Sequence, residues 1–331
     1  MNEIMITRRS AMAGLAALGA NLVPSLGQAQ SGLNLATIVV GLSAGGATDA
    51  AARRLADGMR GSYAKSLVVD NRTGAGARLA VQYVKAAAPN GATMLLTPAS
   101  MLAIYPHTYK NLAYDPVRDL TPVGIVSTSD LGFAVGPAVP ATVKTISDFL
   151  SWVKANSNGA TFGSGATGSG PHFLGELLAR IAGVNMTHAG YRGSQPAILE
   201  LLGGHIPAVS APLGEFLPHL KTGKLRVLAV TGTKRSSFMP DVPTFKELGI
   251  ALSDMTEWFG VFMPAATPAD IVQQASAAMK AAVSTPELVQ AYGLMGMDVA
   301  WSTPQELANR LRADIQRWKG IVERIGFTAE S

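Results

Sequence analysis

From residue 35 onward the chain alternates between short, uninterrupted runs of apolar and β-branched residues and longer stretches in which apolar positions recur every three or four residues. The first kind comprises LATIVVGL (35–42), SLVVDN (66–71), ATMLLTP (92–98), VGIVST (123–128), GFAVGP (132–137), HIPAVS (205–210) and LRVLAVTG (225–232), which read as buried strands. Residues 160–162 add the end of another short strand. Strands that are apolar throughout and joined by amphipathic helices predict parallel sheets covered on both faces, an α/β fold. Neither an internal repeat nor a low-complexity linker breaks the pattern.

The last third changes character. Thr267-Pro268, Thr285-Pro286 and Thr303-Pro304 each place a capping Thr before a Pro, with an acid within the next three residues, which predicts three helix starts. The third helix keeps Leu307, Leu311, Ile315, Trp318, Val322 and Ile325 on one face, and Gly326 can end it.

The N-terminus does not belong to this fold. Arg8 and Arg9 precede a small-residue apolar run, Ala11 to Gly27, and Gly27-Gln28-Ala29 suits cleavage, so residues 1–30 read as an export signal of twin-arginine type. Asn21, Pro24 and the run's length, short of the roughly 20 residues of a span, argue against a membrane anchor. The full chain has 27 Lys plus Arg and 22 Asp plus Glu; without Arg8, Arg9 and Glu3 the counts are 25 and 21, a net +4. This mild charge is spread out, with no basic run among aromatics, so nucleic acid is not an expected partner. Zero cysteines exclude disulfides, thiolate metal sites, a thiol nucleophile and a lipid-modified cysteine. A soluble monomer of an envelope compartment, not lipid-anchored, is expected. The about 300 residues that remain exceed what one core usually organises, which favours two domains.

Candidate chemistry concentrates in glycine-rich turns. GSGATGSGPHF (163–173) contains a G-x-G-x-x-G, but no acid follows about 20 residues later to hold a ribose, so a dinucleotide is not expected. Gly41-Leu42-Ser43-Ala44-Gly45 matches a nucleophile elbow, yet it lies too early in the chain for an α/β-hydrolase, and the five histidines show no spacing that favours a base. Metal-ligand spacings and paired carboxylates are absent from the sequence, and no cofactor is expected. What recurs is a strand end, a Gly/Ser/Thr turn and a helix start, at 43–49, 72–77, 163–172 and 190–197. Unpaired amides and the helix dipole make each such end a place for negative charge. Hydrogen bonds to a charged group contribute about 1.5–3 kcal/mol each, and micromolar affinity needs about 8 kcal/mol, so a few converging donors could hold a carboxylate without a cationic side chain.

SAGGATD (43–49), VVDNRTGAGA (68–77), YDPVRDLTPVG (114–124), GSGATGSGPHFLGELL (163–178), GYRGSQPAILELLGGHI (190–206), KTGKLRVLAVTGTKR (221–235), PDVPTFKELG (240–249) and EWFGVFMPAATP (257–268) follow one another in order. In this the chain resembles the Bug-type solute receptors of tripartite tricarboxylate transporters, from about residue 36 to 320. The resemblance implies a two-lobed periplasmic binding protein of type II with a central ligand cleft. Lobe one would comprise 34–130 and 257–331, with the C-terminal helices packed onto it, and lobe two 131–256. It further implies capture of a small organic anion, a mono- or dicarboxylate, and delivery to membrane permease subunits.

Carried over position by position, the ligand contacts would be Ser43, Ala44, Gly45, Gly46, Thr48 and Asp49 from the first turn, Asn71, and Thr97 and Ser100. Ser164, Gly165, Thr167, Gly168, His172, Tyr191, Arg192 and Gly193 would complete them from the second lobe. Several have plainer readings: Asp49 as an acid favouring a helix dipole, Asn71 as a turn cap, His172 as a first-turn cap, Tyr191 as packing, Arg192 as a solvated charge, and Trp258 as core. The chain departs from the family pattern at Gly41-Leu42, where Pro-Phe is frequent, at Ala77, where Gly is frequent, and at Pro207, where an acid is frequent. The last departure favours a plain carboxylate over a ligand with an ammonium group. Two alternatives share these features: an exported serine hydrolase using Ser43, and a binding protein that reports to a signalling partner.

Overall fold

The computed structural model describes residues 32–156, 160–252 and 255–329. The expected export signal at 1–30 lies outside them. The chain forms β1 (Leu35–Val40), β2 (Ser66–Asn71), β3 (Thr93–Pro98) and β4 (Leu120–Ser129), then β5 (Leu131–Val135), β6 (Thr161–Ser164), β7 (Thr187–Gly190), β8 (Ala208–Pro212) and β9 (Arg226–Val230), and returns with β10 (Glu257–Pro264) and β11 (Asp298–Val299). Around them lie α1 (Ala47–Met59), α2 (Arg78–Lys85), the single turns α3 (Ser100–Ala103) and α4 (Tyr105–Thr108), α5 (Ile146–Ala155), α6 (Gly170–Ala182), α7 (Ser194–Leu202), α8 (Ala269–Val283), α9 (Pro286–Leu294) and α10 (Pro304–Ile325).

The strands make two sheets, ordered β11-β4-β10-β3-β1-β2 and β7-β6-β8-β5-β9. Each of the seven strands expected from apolar runs appears, with its ends shifted by up to three residues, as does the short strand ending near 162 (β6), and β7, β10 and β11 join them. The all-parallel expectation is corrected. β10 runs antiparallel between β3 and β4, and β5 runs antiparallel to both β8 and β9. The cause is connectivity: Asp130 alone separates β4 from β5, so the chain changes sheet there with no crossover helix to set a parallel direction.

The uninterrupted apolar runs follow from burial on both faces. Along β1, Ile38 and Val40 join Leu55 and Met59 of α1 and Val272 and Met279 of α8, while Val39 points the other way, to Val81 and Val84 of α2. Each fully buried aliphatic side chain contributes about 1.5–3 kcal/mol, so a polar residue on either face would be costly.

The C-terminal helices begin largely as the Thr-Pro pairs predict. Thr303 Oγ1 accepts the amide of Glu306 and the Glu306 carboxylate accepts that of Thr303, a reciprocal cap, and Thr285 Oγ1 accepts from Leu288. Thr267 differs: its hydroxyl donates to Pro264 O, and α8 starts one residue later than expected, at Ala269. Gly326 ends α10 at φ 69°. Leu307, Leu311, Trp318 and Val322 are buried, and Trp318 packs on Phe173 of α6, ring centroids 5.7 Å apart. Hence α10 braces elements of both sheets. Trp258 is core as expected, donating Nε1–H to Asp314 Oδ2 of α10 over 2.7 Å. No helix among the described residues is long and apolar enough to cross a membrane.

Candidate functional site

The turn after β1 owes its shape to a short polar relay. Asp49 Oδ2 accepts the Gly45 amide at 2.9 Å and Arg53 Nε at 3.0 Å, while Arg53 also donates to Asn71 Oδ1 and Asn71 Nδ2 donates to Leu42 O. Gly45 takes φ 83°, a left-handed conformation that the tight turn requires. Burial opposes ionisation of Asp49, but hydrogen bonds from Arg53, the Gly45 amide and Asn71 outweigh it and hold the carboxyl below its ordinary range. Asp49 and Asn71 thus scaffold the turn.

The turn after β6 reaches across to the first sheet. Gly170 donates its amide to Ser100 Oγ at 2.9 Å, and Tyr109 OH donates to Thr167 O at 3.1 Å. His172 Nδ1 accepts the Gly168 amide, Ser164 Oγ bonds His188 Nε2, and the His172 ring packs against His188 at a tilt of 34°. The turn after β7 is tied to the same loop by Gly193 N–H to Gly165 O and Tyr191 N–H to Ser164 O. Ser43 Oγ donates to Arg192 O, closing the first turn onto the last.

The turns after β1, β3, β6 and β7 converge on one cavity of about 40 Å³, bounded by Leu42, Thr48, Ser100, Gly165, Gly193 and Ser194 among others. That is far less than the roughly 300–1,000 Å³ of a ligand pocket, so the opposing walls are in contact. Of the expected ligand residues, Thr48, Ser100, Gly165 and Gly193 line it. Gly45 and Gly46 line an adjoining cavity of about 100 Å³. Asp49, Asn71, Ser164, Thr167, Gly168 and Tyr191 hold the turns in shape, Thr97 is buried within β3, and His172 is buried in the ring stack. Ala44 and Arg192 are exposed. The fourth expected turn, 72–77, does not line the cavity and packs behind it, against Gly41.

Two residues that sequence reasoning did not select dominate the cavity's electrostatics. Glu215 follows β8, yet its Oε1 accepts the Ala47 amide at the start of α1 at 2.9 Å and its Oε2 accepts Gln195 Nε2 at 2.7 Å. Glu257 opens β10; its Oε1 accepts the Ser100 amide at 2.8 Å, and Ser100 Oγ lies within 3.0 Å of both its oxygens. Burial raises both carboxyls, Glu257 up to about 7, against the opposing pull of these hydrogen bonds. The available signal was an acid isolated in an apolar setting, PLGEFL and TEWFGVF. Among the described lining residues there is no Lys or Arg. Within the first turns of α1 and α7, the amides of Thr48, Asp49, Ser194 and Gln195 lack acceptors inside their own helices and can serve an oxyanion.

Ser43 Oγ–H donates a hydrogen bond to a backbone carbonyl, and the five histidines bond Ile315 O, the Gly168 amide, Ser164, Glu200 and Gln195. No group of three or more metal-ligating side chains occurs among the described residues. A larger groove of about 660 Å³ opens around Lys85, Tyr114, Arg118 and Asp119, and none of the four turns reaches it.

The sequence of residues 51–327 matches the family model described as tripartite tricarboxylate transporter family receptor, TctC. A relative from Cupriavidus necator, described as UPF0065 protein in gbd 5'region, is 33% identical over 325 residues, 97% of either chain. Among solved structures, the periplasmic binding protein BugD superposes with a TM-score of 0.83 at 27% identity, covering 89% of this chain and 98% of its own. MatC from Rhodopseudomonas palustris with bound malate superposes with a TM-score of 0.81 at 27% identity, covering 87% and 98%. The fold is accordingly the two-lobed α/β fold of periplasmic binding proteins. The chain belongs to the TctC, or Bug-type, family of tripartite tricarboxylate transporter receptors, which are solute-binding proteins.

Proposed function

We propose that this protein is a periplasmic receptor that captures a small organic carboxylate and delivers it to the permease subunits of a tripartite tricarboxylate-type transporter. The observation that carries the reading is the convergence of helix starts from both sheets on one cavity, with backbone donors at its rim and no Lys or Arg among its described lining residues. Residues 34–130 with 257–331 would be one lobe and 131–256 the other, turning about the crossing at Asp130 and the entry to β10 at Met255–Glu257. The cross-cleft bonds Ala47–Glu215, Gly170–Ser100 and Tyr109–Thr167 would break on opening and re-form over the ligand. Thr48, Ser100, Gly165 and Gly193 would contact the ligand directly, and Gly45 and Gly46 would approach it on opening. The malate carried by MatC supports a carboxylate as the ligand class. Export would follow from the segment at 1–30, and the closed form would be what the permease recognises.

Calorimetric titration of the purified protein against mono- and dicarboxylates tests this. Saturable binding of at least one carboxylate, with a solution-scattering signature of closure, is expected. Binding confined to sugars, nucleotides or cations would overturn it. Ester turnover that Ser43→Ala abolishes would instead favour an exported hydrolase.

A further inference from the structure

The walls of the cavity do not have the chemistry of a site for two carboxylates. Glu215 and Glu257 are the ionisable groups in its described lining, and their residues are only 7% and 6% exposed. Glu215 takes the first amide of α1, that of Ala47, where an incoming carboxylate would otherwise accept, so part of the expected anion site is filled from within the chain. Its Oε2 is bridged to Gln195, which bonds His219 in turn, and these contacts hold the carboxylate toward the cleft. Glu257 faces the cavity on one side; on the other lies a pocket of about 10 Å³ shared with Asp314 and Arg317. Each carboxylate offers about four lone-pair sites, and the hydrogen bonds to Ala47, Gln195 and Ser100 leave some of them to accept from a ligand. The backbone amides at the start of α7 remain for an anionic group.

Resting on the receptor function proposed above, we infer that the cleft selects a small monocarboxylate bearing a nitrogen donor, an ammonium or amide N–H. Glu215 and Glu257 receive the nitrogen, and helix-start amides of the second sheet receive the carboxylate. A dicarboxylate of the same length would set a second negative charge beside two acids whose ionisation burial already opposes, so both would have to be protonated to admit it, whereas an N–H donor or a cation suits them ionised. The absence of an acid at Pro207, which by sequence alone pointed away from an ammonium, is answered by acids arriving from β10 and the segment after β8. The inference parts this chain from MatC with its malate.

Matched pairs decide the matter: succinate against β-alanine and succinamate, and glutarate against 4-aminobutyrate, titrated calorimetrically into the full purified protein. The nitrogen-bearing member is expected to bind tighter by roughly tenfold or more. Glu215→Gln and Glu257→Gln, which keep size and most hydrogen bonds, are expected to shrink that ratio. Equal or tighter binding of the dicarboxylate by the unmodified protein would overturn the inference and leave the receptor function standing, and this comparison does not depend on either variant folding. If no carboxylate of any kind binds, the receptor function falls and this selectivity with it.

Discussion

Ser164 Oγ lies 2.8 Å from Nε2 of His188, at the point where β6 gives way to the glycine-rich turn. The neighbouring His172 ring lies tilted against His188 with centroids 3.8 Å apart, and its Nδ1 accepts the Gly168 amide, which requires that nitrogen to be unprotonated. The turn therefore rests on an imidazole nitrogen that accepts.

Acid should loosen it. Burial first, and His172 second, push the His188 imidazole down to about 3, against an ordinary value of about 6.5. Below pH ~6.5 the unfolded chain takes up a proton that the folded chain refuses, so stability is full above that pH and falls as pH drops toward ~3, by up to about 1.4 kcal/mol per unit. His188→Gln, which keeps a partner for Ser164, should flatten this acid limb. Urea midpoints measured from pH 7 to 5 check it; equal slopes in both proteins would refute the assignment.

Glu257 should act in the opposite sense. Its carboxyl is raised to about 7, chiefly by burial, from an ordinary 4.5. A raised acid contributes stability that is present below pH ~4.5 and lost as pH rises through ~7, amounting to about 3 kcal/mol at most. Glu257→Gln should therefore be the more stable protein at pH 8 and lose that advantage near pH 5. Thermal melts at the two pH values test the crossover, and a variant less stable at both would contradict it.

How far the sequence led can be judged from particular residues. Val39 and Ile38 face opposite buried surfaces, so the apolar run of β1 had to lack alternation, and it was legible. The caps at Thr303 and Thr285 were equally legible, because capping is settled within four residues. The direction of β10 was not, since pairing between β3 and β4 depends on where the chain returns from the other sheet. Nor was the role of Glu215, whose amide partner at Ala47 is 168 residues away. Glycine turns announced themselves through composition, whereas a lone acid in an apolar run reveals only that something must satisfy it.

Gly165 should not tolerate a side chain. A methyl there would stand 2.8 Å from the Ser194 amide nitrogen and 2.9 Å from the Gly193 carbonyl carbon, so the turns after β6 and β7 could not meet. Gly165→Ala is expected to cost about 1–3 kcal/mol of stability and to abolish or sharply weaken carboxylate binding. Thr303→Ala, which removes a distant helix cap at a cost of about 0.5–2 kcal/mol, is the control and should leave affinity unchanged. Parallel losses of affinity in both variants would mean that the glycine acts through stability alone.

Gly41 and Ala77, two positions singled out by the family resemblance, are neighbours. A methyl on Gly41 would stand 2.4 Å from the Cβ and 2.8 Å from the Cα of Ala77. Ala77 sits at φ 71°, in the left-handed region that costs a non-glycine residue about 1–2 kcal/mol. The missing side chain at 41 thus makes room for the extra one at 77. Gly41→Ala should cost about 1–3 kcal/mol. Ala77→Gly alone should be close to neutral, because relief of the left-handed strain offsets a lost buried methyl worth about 0.8 kcal/mol. In the double variant the smaller residue at 77 lets the backbone recede, so part of the Gly41→Ala cost should return, a coupling of about 0.5–3 kcal/mol in a denaturation cycle. Additive effects would mean that the turn after β1 does not rest on the 75–77 loop, and that the shape of the cleft's first wall has another source.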